Sequence, residues 1–340
     1  MSPLPPSPLE LVTGAVESAE TPEARETVLK LLERAREAYS LRSAGRAYHL
    51  KVSFAVNPGN QTAYDGEWTW EQFFDPKLGS RRTAKSSSGY TRTEVDTANG
   101  AYAEGTEGIT VPLRLHEARA ALLGSIGTNL DQKAIRTANV DDGSSRVICV
   151  LLTEPRNTGS AIIGRRWEER EECIDSQSGL LRVSSQAPGR YYTYAYTDAP
   201  RLADRTLPRK LTITEAGRVV SEIHVDELTE LPAADPSWFV PTEELMKRGP
   251  TIAVAEARRF WPAAIPGVVS PGNASQTVCV FGLMTPTGEL VEVHSLQPSD
   301  PNSETALKIA NARRFAAPPG ANGRPEQRFV FLIQEFVPSR

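Results

Sequence analysis

Several residue types that mark common function classes are scarce in this sequence. Its 340 residues include only three cysteines and four histidines, so the sequence offers few soft metal ligands. Basic and acidic residues nearly balance at 38 and 42, which argues against a nucleic-acid-binding protein. No apolar run approaches the roughly 20 residues that cross a bilayer as a helix. These absences leave a globular protein with an ordinary apolar content of 39%.

Motifs of the common enzyme classes are also missing. The sequence has no GxSxG nucleophile elbow, no GxxxxGK[ST] phosphate loop and no GxGxxG after a predicted strand. His116 precedes Glu117 but lacks a second histidine four residues later, and we expect His49, His224 and His294 on exposed strand positions. We therefore predict a protein that is not an enzyme and has no cofactor and no metal. A nucleophile pair formed only in space stays open.

The 24 glycines and 26 prolines predict many turns, and the length fits two domains. A flexible leader with Pro and Ser covers residues 1–20. The first domain covers residues 21–245 and the second covers 272–340. Between them, the Pro- and Gly-rich composition of residues 246–271 is typical of a linker, in which we predict a short helix near 252–260.

The first domain begins with one helix, which a long series of strands follows. Thr21 is a candidate N-cap, Pro22 suits the first helical turn, and apolar residues then recur every three or four positions. From Leu50 the apolar period changes to two, and a second helix is predicted at about 111–124. The pattern predicts an α+β fold in which about eleven antiparallel strands form a large curved sheet, a half-barrel covered by helices.

One group of apolar residues in this sheet has two interpretations. It joins the aromatic strand after the first turn to the strand before it, and its members are Leu50, Val52, Phe54, Tyr64, Trp68 and Trp70. In the first interpretation these side chains are packed core. In the second they line a hydrophobic cavity, because so large a curved sheet with only two helices leaves its concave face partly unfilled.

Two cysteines bear on the cellular compartment. Cys149 and Cys173 lie in strand candidates that a short loop separates, and paired strands would place them opposite each other. A disulfide there closes a loop of about 25 residues, stabilises by about 3 kcal/mol and implies an oxidising compartment such as the periplasm. The alternative is two buried thiols. We expect Cys279 to be a lone buried thiol.

The second domain has the predicted order strand, strand, helix, strand. It resembles the TonB C-terminal domain family in its hairpin glycine, in a small-residue helix that leads to a Phe and a Pro, and in its closing strand. The segments that carry the resemblance are residues 278–280, Gly288 with 290–293, 306–312, 314–318, 323–325 and the strand that ends at Phe336. The resemblance implies a small ββαβ domain.

This resemblance also implies a function. A periplasmic, non-enzymatic TonB-family protein would bind an outer-membrane or periplasmic protein by strand addition, in envelope transport. The strand that would receive the partner consists of Arg328, Phe329, Val330, Phe331, Leu332, Ile333, Gln334, Glu335 and Phe336. The alternative is that this strand is an internal member of the sheet or a dimer edge.

The first domain resembles the LolA/LppX class of periplasmic lipid or lipoprotein carriers. The segments that carry this resemblance are residues 48–52, 66–67, 72–76 and 235–239. The resemblance implies an alternative function, in which the N-terminal hydrophobic cavity shields a lipid or an acyl chain. For either function we expect a periplasmic protein whose signal or anchor segment is absent from this chain.

Overall fold

The computed structural model describes most of the chain. The described residues are 16–57, 64–105, 111–124, 126–127, 130–141, 145–155, 165–248, 251–254, 257–260, 265–269, 276–316 and 326–338. Residues 1–15, which form most of the predicted leader, lie outside them, as does the segment 323–325. Within the described residues, no helix is both long enough and apolar enough to cross a membrane.

Thirteen strands form one large sheet, here called the first sheet. They are β1 (Glu17–Ser18), β2 (Tyr48–Val56), β3 (Gly66–Asp75), β4 (Gly79–Ser86), β5 (Thr91–Thr97), β6 (Gly100–Gly105), β7 (Ala134–Asp141), β8 (Arg146–Thr153), β9 (Arg170–Asp175), β10 (Leu181–Ala187), β11 (Arg190–Ala195), β14 (Lys210–Glu215) and β15 (Arg218–Glu230). A separate hairpin between β11 and β14 consists of β12 (Arg201–Leu202) and β13 (Arg205–Thr206).

The first sheet is antiparallel and open. Its spatial order is β1-β7-β8-β9-β10-β11-β14-β15-β2-β3-β4-β5-β6, so nearly every strand pairs with its neighbours in sequence. One long-range pairing, of β15 with β2, joins the two halves of the sheet. The α+β class and the antiparallel series are confirmed, with thirteen strands where about eleven were predicted.

Four α-helices accompany the strands within the described ranges, and two of them cover the first sheet. They are α1 (Pro22–Tyr39), α2 (Leu113–Leu123), α3 (Glu243–Arg248) and α4 (Ser303–Ala312). The predicted N-cap is confirmed, because the Thr21 hydroxyl accepts a hydrogen bond from the Ala24 amide at 3.2 Å. Apolar residues of α1 and α2, among them Leu32 and Leu115, are fully buried against the same face of the sheet, here called the covered face.

The predicted cavity-lining group lies on this covered face. Leu50, Val52, Phe54, Trp68 and Trp70 are at most 1% exposed, and Tyr64 is half-buried. All six belong to one packed cluster with α1 and α2, and the rings of Phe54 and Trp68 stack at 5.4 Å. The structure thus places the group in packed core, which is the first of the two interpretations.

The predicted disulfide is present. Cys149 in β8 and Cys173 in β9 are direct cross-strand partners and are bonded to each other, 24 positions apart in sequence. Both are fully buried, as is Cys279, which is not in a disulfide, as predicted. The bond links the third and fourth strands from the β1 edge of the first sheet and is typical of a protein from an oxidising compartment.

A second sheet lies in the described residues after α3. Its strands are β16 (Ala253–Val254), β17 (Arg258–Phe260), β18 (Ile265–Val269), β19 (Gln276–Met284), β20 (Leu290–Ser295) and β21 (Glu326–Pro338). With α4 between β20 and β21, the predicted order strand, strand, helix, strand is confirmed. The helix predicted near 252–260 is wrong, because β16 and β17 occupy that segment and the nearby helix α3 lies before it.

Strand β21 is internal to this second sheet. Along one edge it pairs antiparallel with β19, from Gln276↔Phe336 to Met284↔Arg328. Along the other edge it pairs in parallel with β16, β17 and β18. Strand addition needs a row of unpaired backbone groups. The predicted free edge, which consists of Arg328, Phe329, Val330, Phe331, Leu332, Ile333, Gln334, Glu335 and Phe336, is therefore wrong where these parallel pairings lie, at residues 330–332 and at Phe336.

Helix α2 lies between the two sheets and contacts both. On the side of the second sheet, Leu113 packs with Phe281, Phe329 and Phe331. The Gln327 side chain also bonds the Val111 backbone twice, accepting from its N–H at 2.8 Å and donating to its carbonyl at 3.2 Å. This contact surface, together with the ion pairs described below, is here called the domain interface.

Candidate ligand-binding pocket

A cavity of about 410 Å³ opens beside the C-terminal half of α2. It lies over the covered face at β4 and β5, near the end of the first sheet. The residues that line it are Arg42, Arg82, Glu94, Asp96, Val111, His116, Arg119, Ala120, Leu123, Gly124, Thr251 and Ile252. Its volume is in the usual range for sites that hold a small ligand.

The alternation of the strands brings charged side chains to this part of the covered face. Trp70 pairs with Ala84 and Ala84 with Arg92, whereas on the next rung Gln72 pairs with Arg82 and Arg82 with Glu94. Side chains two positions apart on a strand share a face. The face that is aromatic on β3 therefore becomes charged on β4 and β5, directly under the cavity.

Glu94 is the centre of an ion cluster at the base of the cavity. Its Oε1 accepts from Arg92 Nε at 2.8 Å, and its Oε2 accepts from Arg119 Nη1 at 2.9 Å. Arg82 Nε lies 3.3 Å from Oε2. Burial alone would raise the pKa of this carboxyl, but the three guanidinium groups outweigh it and hold the pKa well below its ordinary value.

Arg119 joins this cluster to helix α2. Its guanidinium group also lies over the Trp70 ring, 5.7 Å from the ring centroid. Its Nε and Nη2 groups are buried and have no hydrogen-bond partner. Burial and the neighbouring arginines favour the neutral form, so the pKa of Arg119 is lowered although Glu94 opposes the shift. An arginine with unpaired buried donors is a place where an added acceptor would bind favourably.

Part of the cavity lining is apolar. Ala120, Leu123 and Val111 contribute side chains from α2 and the residues before it, and Ile252 contributes another from the segment after α3. The imidazole of His116 also lines the cavity and packs on the Phe329 ring at 4.4 Å. Burial first, and then the nearby arginines, lower the pKa of His116 to about 3, so the ring is neutral.

A second cavity of about 430 Å³ lies between the β14–β15 turn and the start of α4. Glu215, Asp300 and Glu304 make its lining acidic, and His294 is also part of it. Burial lowers the pKa of His294 to about 4. The Arg119 and Glu94 side chains do not line this cavity.

The sequence did not identify the pocket residues. None of Leu50, Val52, Phe54, Tyr64, Trp68 and Trp70 lines either cavity, although Trp70 lies directly under Arg119. The available signal was the placement of Arg82, Glu94 and Asp96 in the strand phase that faces the helices. Charged residues on a strand usually mark its solvent face, so the sequence alone favours placing these three residues in solvent and not under the helices.

The histidine predictions were correct at one position only. His224 is exposed, as predicted. The prediction of exposed side chains at His49 and His294 is wrong. His49 bonds Glu71 at 2.7 Å and stacks on Phe73, and its side chain is only 13% exposed.

No protein-family model matches this chain, and a search of curated proteins finds no match. Among solved structures, a LolA superfamily protein from Nitrosomonas europaea is similar at 10% identity and a TM-score of 0.39, over 63% of this chain and 97% of that one. MucB in complex with MucA(peri) is similar at 12% identity and a TM-score of 0.29, over 74% of each chain.

An uncharacterized conserved protein from Thermus thermophilus is similar at 12% identity and a TM-score of 0.22, over 64% of this chain and 96% of that one. The first similarity is to the superfamily that the first domain resembles in sequence, and none of the three proteins is described as a TonB protein. All three TM-scores are below 0.5, so the argument about function depends on the pocket itself.

Proposed function

We propose that this protein is a non-enzymatic, periplasmic carrier of an amphiphile, a lipid or another molecule with an acyl chain. The amphiphile binds in the pocket beside α2, where apolar and charged side chains together line a cavity of about 410 Å³. That combination is the observation that carries the proposal, because an amphiphile needs both environments. Strand addition at β21 is not part of it, because both edges of that strand are paired.

Two features support the compartment and the absence of catalysis. The buried Cys149–Cys173 disulfide favours an oxidising compartment such as the periplasm. Among the described residues that line the pocket, none is a serine, cysteine or lysine, and the neutral His116 packs on an aromatic ring. Nothing in this lining forms a nucleophile with an adjacent base. A protein partner in the periplasm or outer membrane stays a prediction.

Binding is tested by filling the pocket. Ala120 lines it and is half-buried, so Ala120→Trp would place a large ring in the space that an acyl chain occupies. We expect native mass spectrometry of wild-type protein purified from a bacterial periplasm to show a bound amphiphile, and the variant to have lost it. The matched control is Lys30→Trp, an exposed position on the other covering helix.

Retention of the bound molecule in Lys30→Trp and its loss in Ala120→Trp would support the pocket as the site. Wild-type protein that is consistently empty, and that also fails to bind a twelve-carbon amphiphile in calorimetry, would refute the proposal. Binding that is equal in wild type and Ala120→Trp would refute this location.

A further inference from the structure

The base of the pocket has more positive than negative charge. Four guanidinium groups, those of Arg42, Arg82, Arg92 and Arg119, lie in or next to it, against the carboxylates of Glu94 and Asp96. Glu94 already interacts with three of the four. The Asp96 carboxylate is 3.9 Å from Arg82, and its side chain is one-third exposed. The surplus charge is positive, which favours an anion and disfavours a metal cation.

The unpartnered hydrogen-bond donors of Arg119 also favour an anionic ligand. The two unpartnered donors of Arg119 are buried beside the cavity, and a buried donor without an acceptor costs about 1–3 kcal/mol. Arg119 bonds Glu94 through Nη1 alone, so its Nε and Nη2 groups stay without an acceptor. A small rotation of the guanidinium group would present these N–H groups to an oxygen in the cavity. A planar guanidinium group binds a carboxylate or a phosphate through two parallel hydrogen bonds.

The remaining arginines suit the same ligand from other sides. Arg42 is exposed at the rim, where its guanidinium group lies 5.7 Å from the Phe74 ring centroid. Arg82 lies on β4 next to Glu94, and its side chain is 18% exposed. Ala120 and Leu123 line the same cavity as these groups, so one molecule would contact both kinds of surface.

We propose that this pocket binds the anionic headgroup of the amphiphile, a carboxylate or a phosphate, with Arg119 as the main ligand and Arg42 and Arg82 as auxiliary ligands. This inference rests on the proposed function, which it refines by naming the class of headgroup. The acyl chain contacts the Ala120 and Leu123 wall.

The experiment is isothermal titration calorimetry with four probes below their aggregation concentrations. Three have the same twelve-carbon chain: dodecanoate, dodecyl phosphate and the neutral 1-monolaurin. The fourth is inorganic phosphate without a chain. We expect the two anionic amphiphiles to bind wild-type protein at least about tenfold more tightly than the neutral one, as one charge-assisted hydrogen bond contributes roughly this factor.

Three arginine-to-glutamine variants of the full chain locate the headgroup. Arg119→Gln should reduce the affinity for both anionic amphiphiles about ten- to hundredfold and leave the neutral one unchanged. Arg42→Gln should reduce it by a smaller factor, and because Arg42 is exposed this variant is expected to fold even if Arg119→Gln does not. The matched control is Arg46→Gln, an exposed arginine that does not line the pocket and pairs with Glu230.

The possible outcomes test the headgroup site and the carrier function separately. Selective loss of anionic binding in Arg119→Gln or Arg42→Gln, with no loss in Arg46→Gln, supports the inference. Equal binding of neutral and anionic amphiphiles overturns the headgroup site and leaves the carrier function standing. No binding of any amphiphile overturns both. Inorganic phosphate that binds as tightly as dodecyl phosphate supports the anion site and overturns the acyl-chain function.

Discussion

At the scale of single residues, Glu94 is the buried carboxylate that compensates a cluster of positive charges in the first sheet. It is the carboxylate that three surrounding guanidinium groups share, and its side chain is only 4% exposed. We expect Glu94→Gln to destabilise the protein by about 3–5 kcal/mol, because it leaves buried positive charges without compensation. Urea unfolding measures this. Asp96→Asn, on the same strand but one-third exposed, should cost less than about 1 kcal/mol, and equal losses would contradict this role for Glu94.

Two buried histidines make stability depend on pH. Burial lowers the pKa of His116 to about 3 and that of His294 to about 4, whereas both are near 6.5 in an unfolded chain. Below pH 6.5 the unfolded chain therefore binds protons that the folded chain does not. The stabilisation is fully present above pH 6.5 and declines as the pH falls towards 4, by at most about 1.4 kcal/mol per pH unit for each histidine.

The measurement is the free energy of unfolding in urea between pH 7 and 4.5. His116→Gln should remove about half of the slope that these two histidines contribute. An unchanged slope in His116→Gln would show that the imidazole is protonated, or accessible to water, in the folded state.

At the scale of elements, the disulfide is the covalent link between β8 and β9. With its cysteines 24 positions apart, it should stabilise the protein by about 3 kcal/mol in the chain-entropy model. We expect Cys149→Ala/Cys173→Ala to lower the free energy of unfolding by that amount, measured in urea. Wild type that is unfolded and refolded with a reductant should lose a similar amount, and the reductant should not affect the double variant. A reductant effect on the double variant would assign the change to something other than this bond.

The position of β21 in the second sheet predicts its backbone protection. Because β21 pairs with β19 on one edge and with β16, β17 and β18 on the other, opening it breaks hydrogen bonds on both sides. We expect amides over residues 328–336 to exchange with solvent as slowly as the most protected amides of β19, by hydrogen exchange with NMR or mass spectrometry. Fast exchange there, or shifts on titration with extended peptides, would contradict the internal position.

The sequence predicted those elements whose pattern is local. Period-two alternation found the long strands of the first sheet, and short turns made their neighbours antiparallel. It did not find β16, β17 and β18, which are two to five residues long and too short to show a period. For β21, the unbroken apolar run from Phe329 to Ile333 was typical of a strand covered on both faces, and this is what the structure shows.

The pocket was less predictable than the sheet, for a physical reason. Alternation shows that Trp68 and Trp70 face the inside, but it does not show whether a helix fills the space above them, because that depends on α2, more than 40 positions away. Glu94 and Arg119 are 25 positions apart and meet only after α2 has packed. Contacts of this kind depend on tertiary structure and leave no periodic signal.

At the scale of the whole molecule, buried ion pairs of the first sheet and α2 lie at the domain interface, and one of their arginines reaches the second sheet. Arg190 of β11 forms an ion pair with Glu117 of α2, and Arg114 pairs with Glu215 at 2.6 Å. The Arg190 guanidinium group also lies 4.7 Å from the Phe281 ring centroid of the second sheet. Charges this deeply buried are favourable only while the surrounding groups stay in place. Unfolding of one sheet therefore exposes or unpairs groups that stabilise the other.

We consequently expect one cooperative unfolding transition in calorimetry. Arg190→Ala should lower the stability of both sheets together by about 3–5 kcal/mol, because Glu117 and Glu215 each lose one of their two arginine partners, of which Arg114 is the other, and a fully buried side chain is removed. Hydrogen exchange over β2 and β3 follows the first sheet, and hydrogen exchange over β19 follows the second. Arg46→Ala, which removes an exposed pair with Glu230, should cost less than about 1 kcal/mol. Two separate transitions in wild type, or loss of one sheet alone in Arg190→Ala, would mean that the sheets are independent domains.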